Sequence, residues 1–147
     1  MVNKIDDLRP DHIGWRLWDA AAAWKEDFAA QMIAEGHDWY AEARSSVIPY
    51  VALEGTRQAD VVARMGLSKQ AVQQMIVDLE RSGILMREPD PDDGRGKIVR
   101  FTKAGLAAQR DSLRAKQRVE AEVRAKLGDA EFEQLMDLLQ KIGTDTR

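Results

Sequence analysis

Near the start of the chain, apolar residues return at helical spacing. Leu17, Ala21, Trp24, Phe28 and Met32 step by four and three, which predicts an amphipathic helix from about Asp11 to Glu35. Asp11 stands where an N-cap would, and Gly36 stands where a left-handed residue would end the helix. Trp15, Trp18 and Trp24 fall on more than one face, so this helix needs more than one neighbour. Residues 37–44 read as a connector. A short helix from about Ser45 to Leu53 follows, with Ser45 or Ser46 as its cap and Pro49 confined to its first turn.

Two short helices come next. Thr56 is placed to cap the first, with Val61, Val62 and Met65 facing inward and Gly66 closing it. Ser68 caps the second, whose buried stripe is Val72, Ile76 and Leu79 and whose C′ residue is Gly83. So tight a glycine turn between two short helices predicts a helix-turn-helix. The period then changes. Residues 84–87 and 97–101 read as strands, joined by Glu88-Pro89-Asp90-Pro91-Asp92-Asp93-Gly94-Arg95-Gly96, whose prolines, acids and glycines predict an exposed hairpin tip. A hairpin directly after a helix-turn-helix is a wing. Thr102 caps a long helix over 103–127, with apolar positions at Leu106, Leu113, Val119, Val123 and Leu127. Gly128 and Asp129 break and recap the chain before a last helix carrying Phe132, Leu135, Leu138, Leu139 and Ile142. The pattern predicts a mainly α fold with a small β-hairpin wing. A winged helix-turn-helix core lies at about 45–102, flanked by helices at about 11–36 and 103–143, in a single domain over 1–147.

Composition and charge narrow the classes. At 44% hydrophobic and 32% charged, the 147 residues read as a soluble globular chain rather than a disordered one. No run approaches the length of a membrane span, and the polar opening MVNKIDDLRPD is not a secretory signal, so the expected compartment is the cytosol. The absence of cysteine excludes disulfides, thiolate metal sites and cysteine nucleophiles. The net charge of −3 hides an uneven spread: residues 1–56 carry −5, residues 57–118 carry +5 and residues 119–147 carry −3. A basic middle between acidic ends suits a nucleic-acid-binding core, although a charged chain varies this way without function.

The candidate chemistry lies in that middle. Burying Val72, Ile76 and Leu79 leaves Lys69, Gln70, Gln73 and Gln74 at the N-terminal end of the exposed face, where a recognition helix meets base edges. Glutamine can pair with adenine, lysine with guanine or phosphate, and the helix N-terminus with phosphate. A solvated helix face has the same residue types. In the wing, Arg95 is expected at the apex between Gly94 and Gly96, aimed at a minor groove, with Asp93 holding its guanidinium. Lys97, Arg100 and Arg57 are candidates for phosphates. An incidental arginine in a polar turn is the plain alternative.

At these residues the sequence resembles the MarR family of winged-helix bacterial transcription regulators. The resemblance covers about residues 54–105 and is most specific in GLSKQAVQQMIVDLERSGILMREPDPDDGRGKIVRFTKAG. It implies a homodimer with interlocking N- and C-terminal dimerisation helices, two winged modules on a pseudo-palindromic double-stranded DNA site, and ligand-responsive repression. It also implies that Asp93 and Arg95 match the wing Asp-x-Arg motif and that Gln70, Gln73 and Gln74 fall at base-contacting positions. Many members carry Thr-Arg where this chain has Gln73-Gln74, so no operator sequence carries over.

The apolar stripes of the terminal helices suit a dimer, and an intramolecular bundle would also absorb them. The resemblance implies a small aromatic or anionic effector, for which Trp15, Trp18, Trp39 and Tyr40 are candidate pocket residues; aromatics at such spacing also build cores and interfaces. No cofactor is expected. His12 and His37, beside Asp11 and Asp38, lack metal-ligand spacing and are expected to be solvated. Asp90, Asp92 and Asp93 do not follow a calcium loop, and no phosphate loop or nucleophile constellation is present, so no catalytic activity is expected. A helical protein-interaction module that has lost DNA binding is the other class to separate.

Overall fold

Helix α1 spans Ile13–Ala34, and the computed structural model to which it belongs describes residues 11–143. The expectation about the N-terminal run lies, apart from Asp11, outside those residues. The predicted cap of α1 is corrected. His12 is the N-cap, its Nδ1 accepting the Trp15 backbone N–H at 3.2 Å, while Asp11 pairs with Arg16. Gly36 takes φ +88 just past the helix end, as its position predicts. Of the apolar stripe only Met32 is buried; Leu17 and Trp24 stay more than a third exposed.

The segment from Asp38 to Tyr50 is 3-10 rather than α-helical, in two pieces, Asp38–Ala41 and Ala43–Tyr50. Pro49 sits near the end of the second piece, not in a first turn. Ser45 and Ser46 do not cap; their hydroxyls donate back to the carbonyls of Glu42 and Ala43. This tight coil fits the proline because it ends within a turn of it. It drives Trp39, Val47, Ile48 and Val51 into the core.

A strand absent from the sequence reading, β1 (Thr56–Arg57), opens the winged module and pairs with Val99 and Ile98. Thr56 is therefore not a helix cap: its Oγ1 accepts the Ala52 N–H at 2.9 Å and closes the preceding turn. Helix α2 (Gln58–Met65) buries Val61 and ends at Gly66 with φ +66. Helix α3 (Lys69–Arg81) buries Val72, Ile76 and Leu79 completely, as their spacing predicts. Strands β2 (Leu85–Asp90) and β3 (Asp93–Phe101) complete an antiparallel sheet in the order β1-β3-β2.

Thr102 alone separates β3 from α4 (Lys103–Leu127), and its hydroxyl accepts the Gly105 N–H at 3.0 Å. The buried face of α4 is built of small residues, Gly105, Ala108, Ser112 and Ala115, with Val119, while the apolar Leu113 points to solvent. Small side chains let α4 lie close to its neighbours, and at Gly105 no β-carbon fits against the carbonyl of Ile84. After Gly128 (φ +81), α5 (Asp129–Ile142) buries Phe132 alone. Asp129 does not cap it but pairs with Arg124. Leu135, Met136, Leu138, Leu139 and Ile142 are exposed, so α1 and α5 both leave apolar faces open. No helix of the described residues is long and apolar enough to cross a membrane.

Candidate nucleic-acid interface

Ser68 starts α3 by accepting the Ala71 N–H at 3.2 Å, which leaves the other first-turn amides and the positive end of the helix facing outward. Lys69, Gln70 and Gln74 are exposed there, and Gln73 is half-buried where α3 meets the wing. The side chain of Gln74 is tied along the helix, its Nε2 donating to Asp78 Oδ1 at 2.9 Å.

The wing is longer and more ordered than its prolines and acids predict. Pairing continues from Leu85 with Phe101 out to Pro89 with Lys97 and Asp90 with Asp93, so the turn is only Pro91-Asp92. Arg95 is thus not at the apex; it lies on β3, past the closing pair. Asp93 does not hold its guanidinium. Instead Asp93 Oδ1 accepts the Arg95 backbone N–H at 3.0 Å, fixing the strand's direction as it leaves the turn. Gly96 is needed because a β-carbon there would press on Asp90 Cβ and Asp93 Oδ2, both at 3.3 Å.

Two arginines named as phosphate candidates are already engaged. Arg57 Nε meets Asp90 Oδ2 at 2.9 Å and its Nη2 meets Asp92 Oδ2 at 3.2 Å. The Asp90 carboxylate is only 3% exposed, in a segment expected to be wholly solvated. It can be buried because Arg57 supplies the counter-charge and the Asp92 N–H donates to Oδ1 at 2.9 Å. Arg100 binds Glu88 at 3.0 Å and the carbonyl of Glu54. By contrast Lys69, Arg95 and Lys97 have no ion-pair partner among the described residues.

Those three free cations share one cleft of about 280 Å³ between α2, α3 and the wing, lined also by Gln73, Gly96, Gln58, Ala59 and Val62. Gln58 was not anticipated, having no local signal; its Oε1 is buried without a hydrogen-bond partner. The structure therefore brings Lys69, Gln73, Arg95 and Lys97 together, leaves Gln70 and Gln74 on the adjoining helix face, and assigns Arg57 to the wing's internal clamp. Unpaired positive charge, donor-rich side chains and a helix N-terminus on one face can bind polyanion backbone and hydrogen-bond to base edges.

The four aromatic candidates are not gathered. Trp15 and Trp18 lie on the exposed first turns of α1, whereas Trp39 is buried and stacked on Tyr40 with centroids 4.1 Å apart. Tyr40 accepts from Gln109 Nε2 at 3.2 Å, and burial pushes its hydroxyl pKa up. The histidines are not simply solvated either. His12 caps α1, and His37 Nε2 lies 2.7 Å from Asp111 Oδ2 on α4, holding the Asp111 carboxyl below its ordinary range. No group of three or more potential metal ligands occurs among the described residues.

Known proteins share part of this sequence and the fold. Residues 46–96 match the sequence model of the MarR family. A protein of Thauera aromatica whose name assigns it to transcriptional regulation of the hcr operon is 26% identical over 88 residues, covering 60% of this chain. The chain matches about half the length of that relative, 53%. Among solved structures, apo MarR from E. coli superposes with a TM-score of 0.75 at 19% identity, covering 92% of this chain and 100% of that one. A probable transcriptional regulator from Pseudomonas aeruginosa gives 0.69 at 24% identity, covering 90% and 98%. CouR from Rhodococcus jostii RHA1, solved with p-coumaroyl-CoA bound, gives 0.66 at 22% identity, covering 93% and 95%. The structural likeness establishes the fold over nearly the whole length, and the match to the MarR family's sequence model falls on the segment that carries α2, α3 and the wing turn.

Proposed function

We propose that the chain is a sequence-reading regulator of transcription that binds double-stranded DNA as a homodimer on a pseudo-palindromic operator and represses from it. The observation that carries this reading is the cleft where α3 and the wing set Gln73 beside Lys69, Arg95 and Lys97, three cations with no ion-pair partner among the described residues. In a recognition-helix pose α3 enters the major groove, Gln70, Gln73 and Gln74 meet base edges, Lys69 and Lys97 take phosphates, and Arg95 reaches along the thin wing into the adjacent minor groove. Occlusion of a promoter by so seated a dimer is repression, and a small aromatic or anionic effector would relieve it by favouring a spacing of the two modules unfit for DNA.

The exposed apolar faces of α1 and α5 support the dimer, since a second copy of the chain offers the same faces in return. A single-chain mass by light scattering at micromolar concentration would remove that part of the proposal. The DNA reading is tested by selecting duplexes from a random pool with wild type and Arg95→Ala in parallel. Enrichment of an inverted repeat, with Arg95→Ala binding weaker by about 1–3 kcal/mol, is expected. Absence of salt-sensitive duplex binding would instead leave a protein-interaction module.

A further inference from the structure

A glutamine amide can face a base in two ways. With its oxygen and one N–H forward it matches adenine, which offers the N6 donor and the N7 acceptor; with both N–H groups forward it can serve guanine, which offers the O6 and N7 acceptors. A free glutamine adopts either. In this protein Gln74 is not free. Its Nε2 donates to Asp78 Oδ1 at 2.9 Å, one helical turn on. An ionised carboxylate has no proton to give, so only the NH₂ end can face it, and the amide orientation is fixed.

The main chain at Asp78 is itself held in place. Its carbonyl accepts from Arg44 Nη1 at 3.2 Å and from the Ser82 hydroxyl at 3.0 Å. Arg81 Nη1, at 3.7 Å from Asp78 Oδ1, partly offsets the negative charge beside a surface that would face phosphates. One N–H of Gln74 is thus consumed within the helix, and what remains outward is the oxygen and a single N–H.

We propose that Asp78 is a positioning residue that locks the Gln74 amide, so that Gln74 accepts adenine and rejects guanine at the base it reads. The inference rests on the DNA-reading proposal above. Asp78 touches no base in this scheme; it acts by removing the second donor that guanine requires.

The test uses duplex selection followed by competition binding with the full chain, comparing wild type, Gln74→Ala, Asp78→Asn and Asp78→Glu. The position read by Gln74 is the one whose base preference Gln74→Ala flattens. Wild type is expected to favour adenine over guanine there by about fivefold or more. Asp78→Asn keeps the shape but can donate as well as accept, so the lock is lost and the adenine-to-guanine ratio should fall at that position alone. Asp78→Glu retains the acceptor and should keep most of the ratio. Guanine preference in wild type, or an unchanged ratio in Asp78→Asn, overturns the proposal. Enrichment of a site in which Gln74→Ala flattens no position also overturns it while leaving the DNA reading intact. Enrichment of nothing by wild type overturns both. An Asp78→Asn chain that merely folded less well would lose affinity uniformly, without a change of ratio, and that outcome too counts against the lock.

Discussion

Replacing Arg57 by methionine separates two roles for one side chain. Methionine keeps an aliphatic stem against β3 and deletes only the guanidinium, which now contacts Asp90 at 2.9 Å and Asp92 at 3.2 Å. The consequences for the two acids differ. The Asp92 carboxylate is 78% exposed and returns to water at almost no cost, whereas the Asp90 carboxylate is 3% exposed and keeps only the N–H of Asp92. Stranding a buried carboxylate costs upward of 3 kcal/mol when both partners are dry. Arg57 is itself 52% exposed, so the pair is partly screened and the expected loss is smaller, about 1–3 kcal/mol. Urea unfolding should report this as a lower midpoint at unchanged m-value. Adding Asp90→Asn should recover part of the loss, because the stranded charge is gone, and the double-mutant cycle then gives the coupling. Salt titration of DNA binding should give the wild-type slope, since no phosphate contact has been removed. Unchanged stability, together with a salt slope smaller by about one, would refute the clamp and make Arg57 a phosphate ligand.

Three further outcomes follow from the same geometry. Alanine usually gains about 1 kcal/mol over glycine within a helix, but Gly105→Ala sets a methyl against the Ile84 carbonyl, itself pinned by the Thr102 N–H at 3.0 Å. A net loss of about 1–3 kcal/mol is expected by thermal unfolding, and a gain would show that the contact relaxes freely. Asp111 has its pKa lowered, first by the hydrogen bond to His37 and also by Arg114, with burial opposing. Its contribution is therefore complete above the unfolded carboxylate pKa and is lost as pH falls through the lower native one; His37→Gln should shrink that acid-side loss in unfolding experiments, and identical pH profiles would contradict it. Leu139→Glu charges the open face of α5, where only Phe132 is covered within the chain, and should shift light scattering towards the single-chain mass without unfolding the protein.

Where the sequence pattern spoke truly, the determinants were local. Ser68, the Val72-Ile76-Leu79 stripe and Gly83 define α3 from within thirteen residues and their immediate flanks, and the helix forms as its spacing says. Thr102 likewise begins α4 in the place its neighbours predict. The misreadings share a different cause. Pro89, Asp90 and Asp93 look like loop residues, yet the ladder pairs them, and Arg57 reaches them from a strand of two residues too short to leave a periodic trace. His37 finds Asp111 across 74 positions, and no spacing rule reaches that far. The apolar positions of α4 did not mark its buried face, because the helix packs through its smallest residues, where closeness decides rather than hydrophobicity. At the candidate interface the residue types were legible; which cations remain free was not, because that depends on which acids the fold brings to the others.

The single residue between β3 and α4 has a mechanical consequence. With only Thr102 as the joint, and its backbone N–H and hydroxyl both bonded to the Ile84 carbonyl, there is no slack in which the wing could swing while the helix stays still. The twenty-five residues of α4 make a rod of about 37 Å fixed at one end to the wing. A tilt of about 5° at its base carries the far end sideways by about 3 Å, the scale on which side chains exchange neighbours. The rod works equally in reverse. In the proposed homodimer, a change in how the distal ends of the two α4 helices lie would be delivered to both wings as rotation, so the spacing between them would be set by leverage rather than by a hinge.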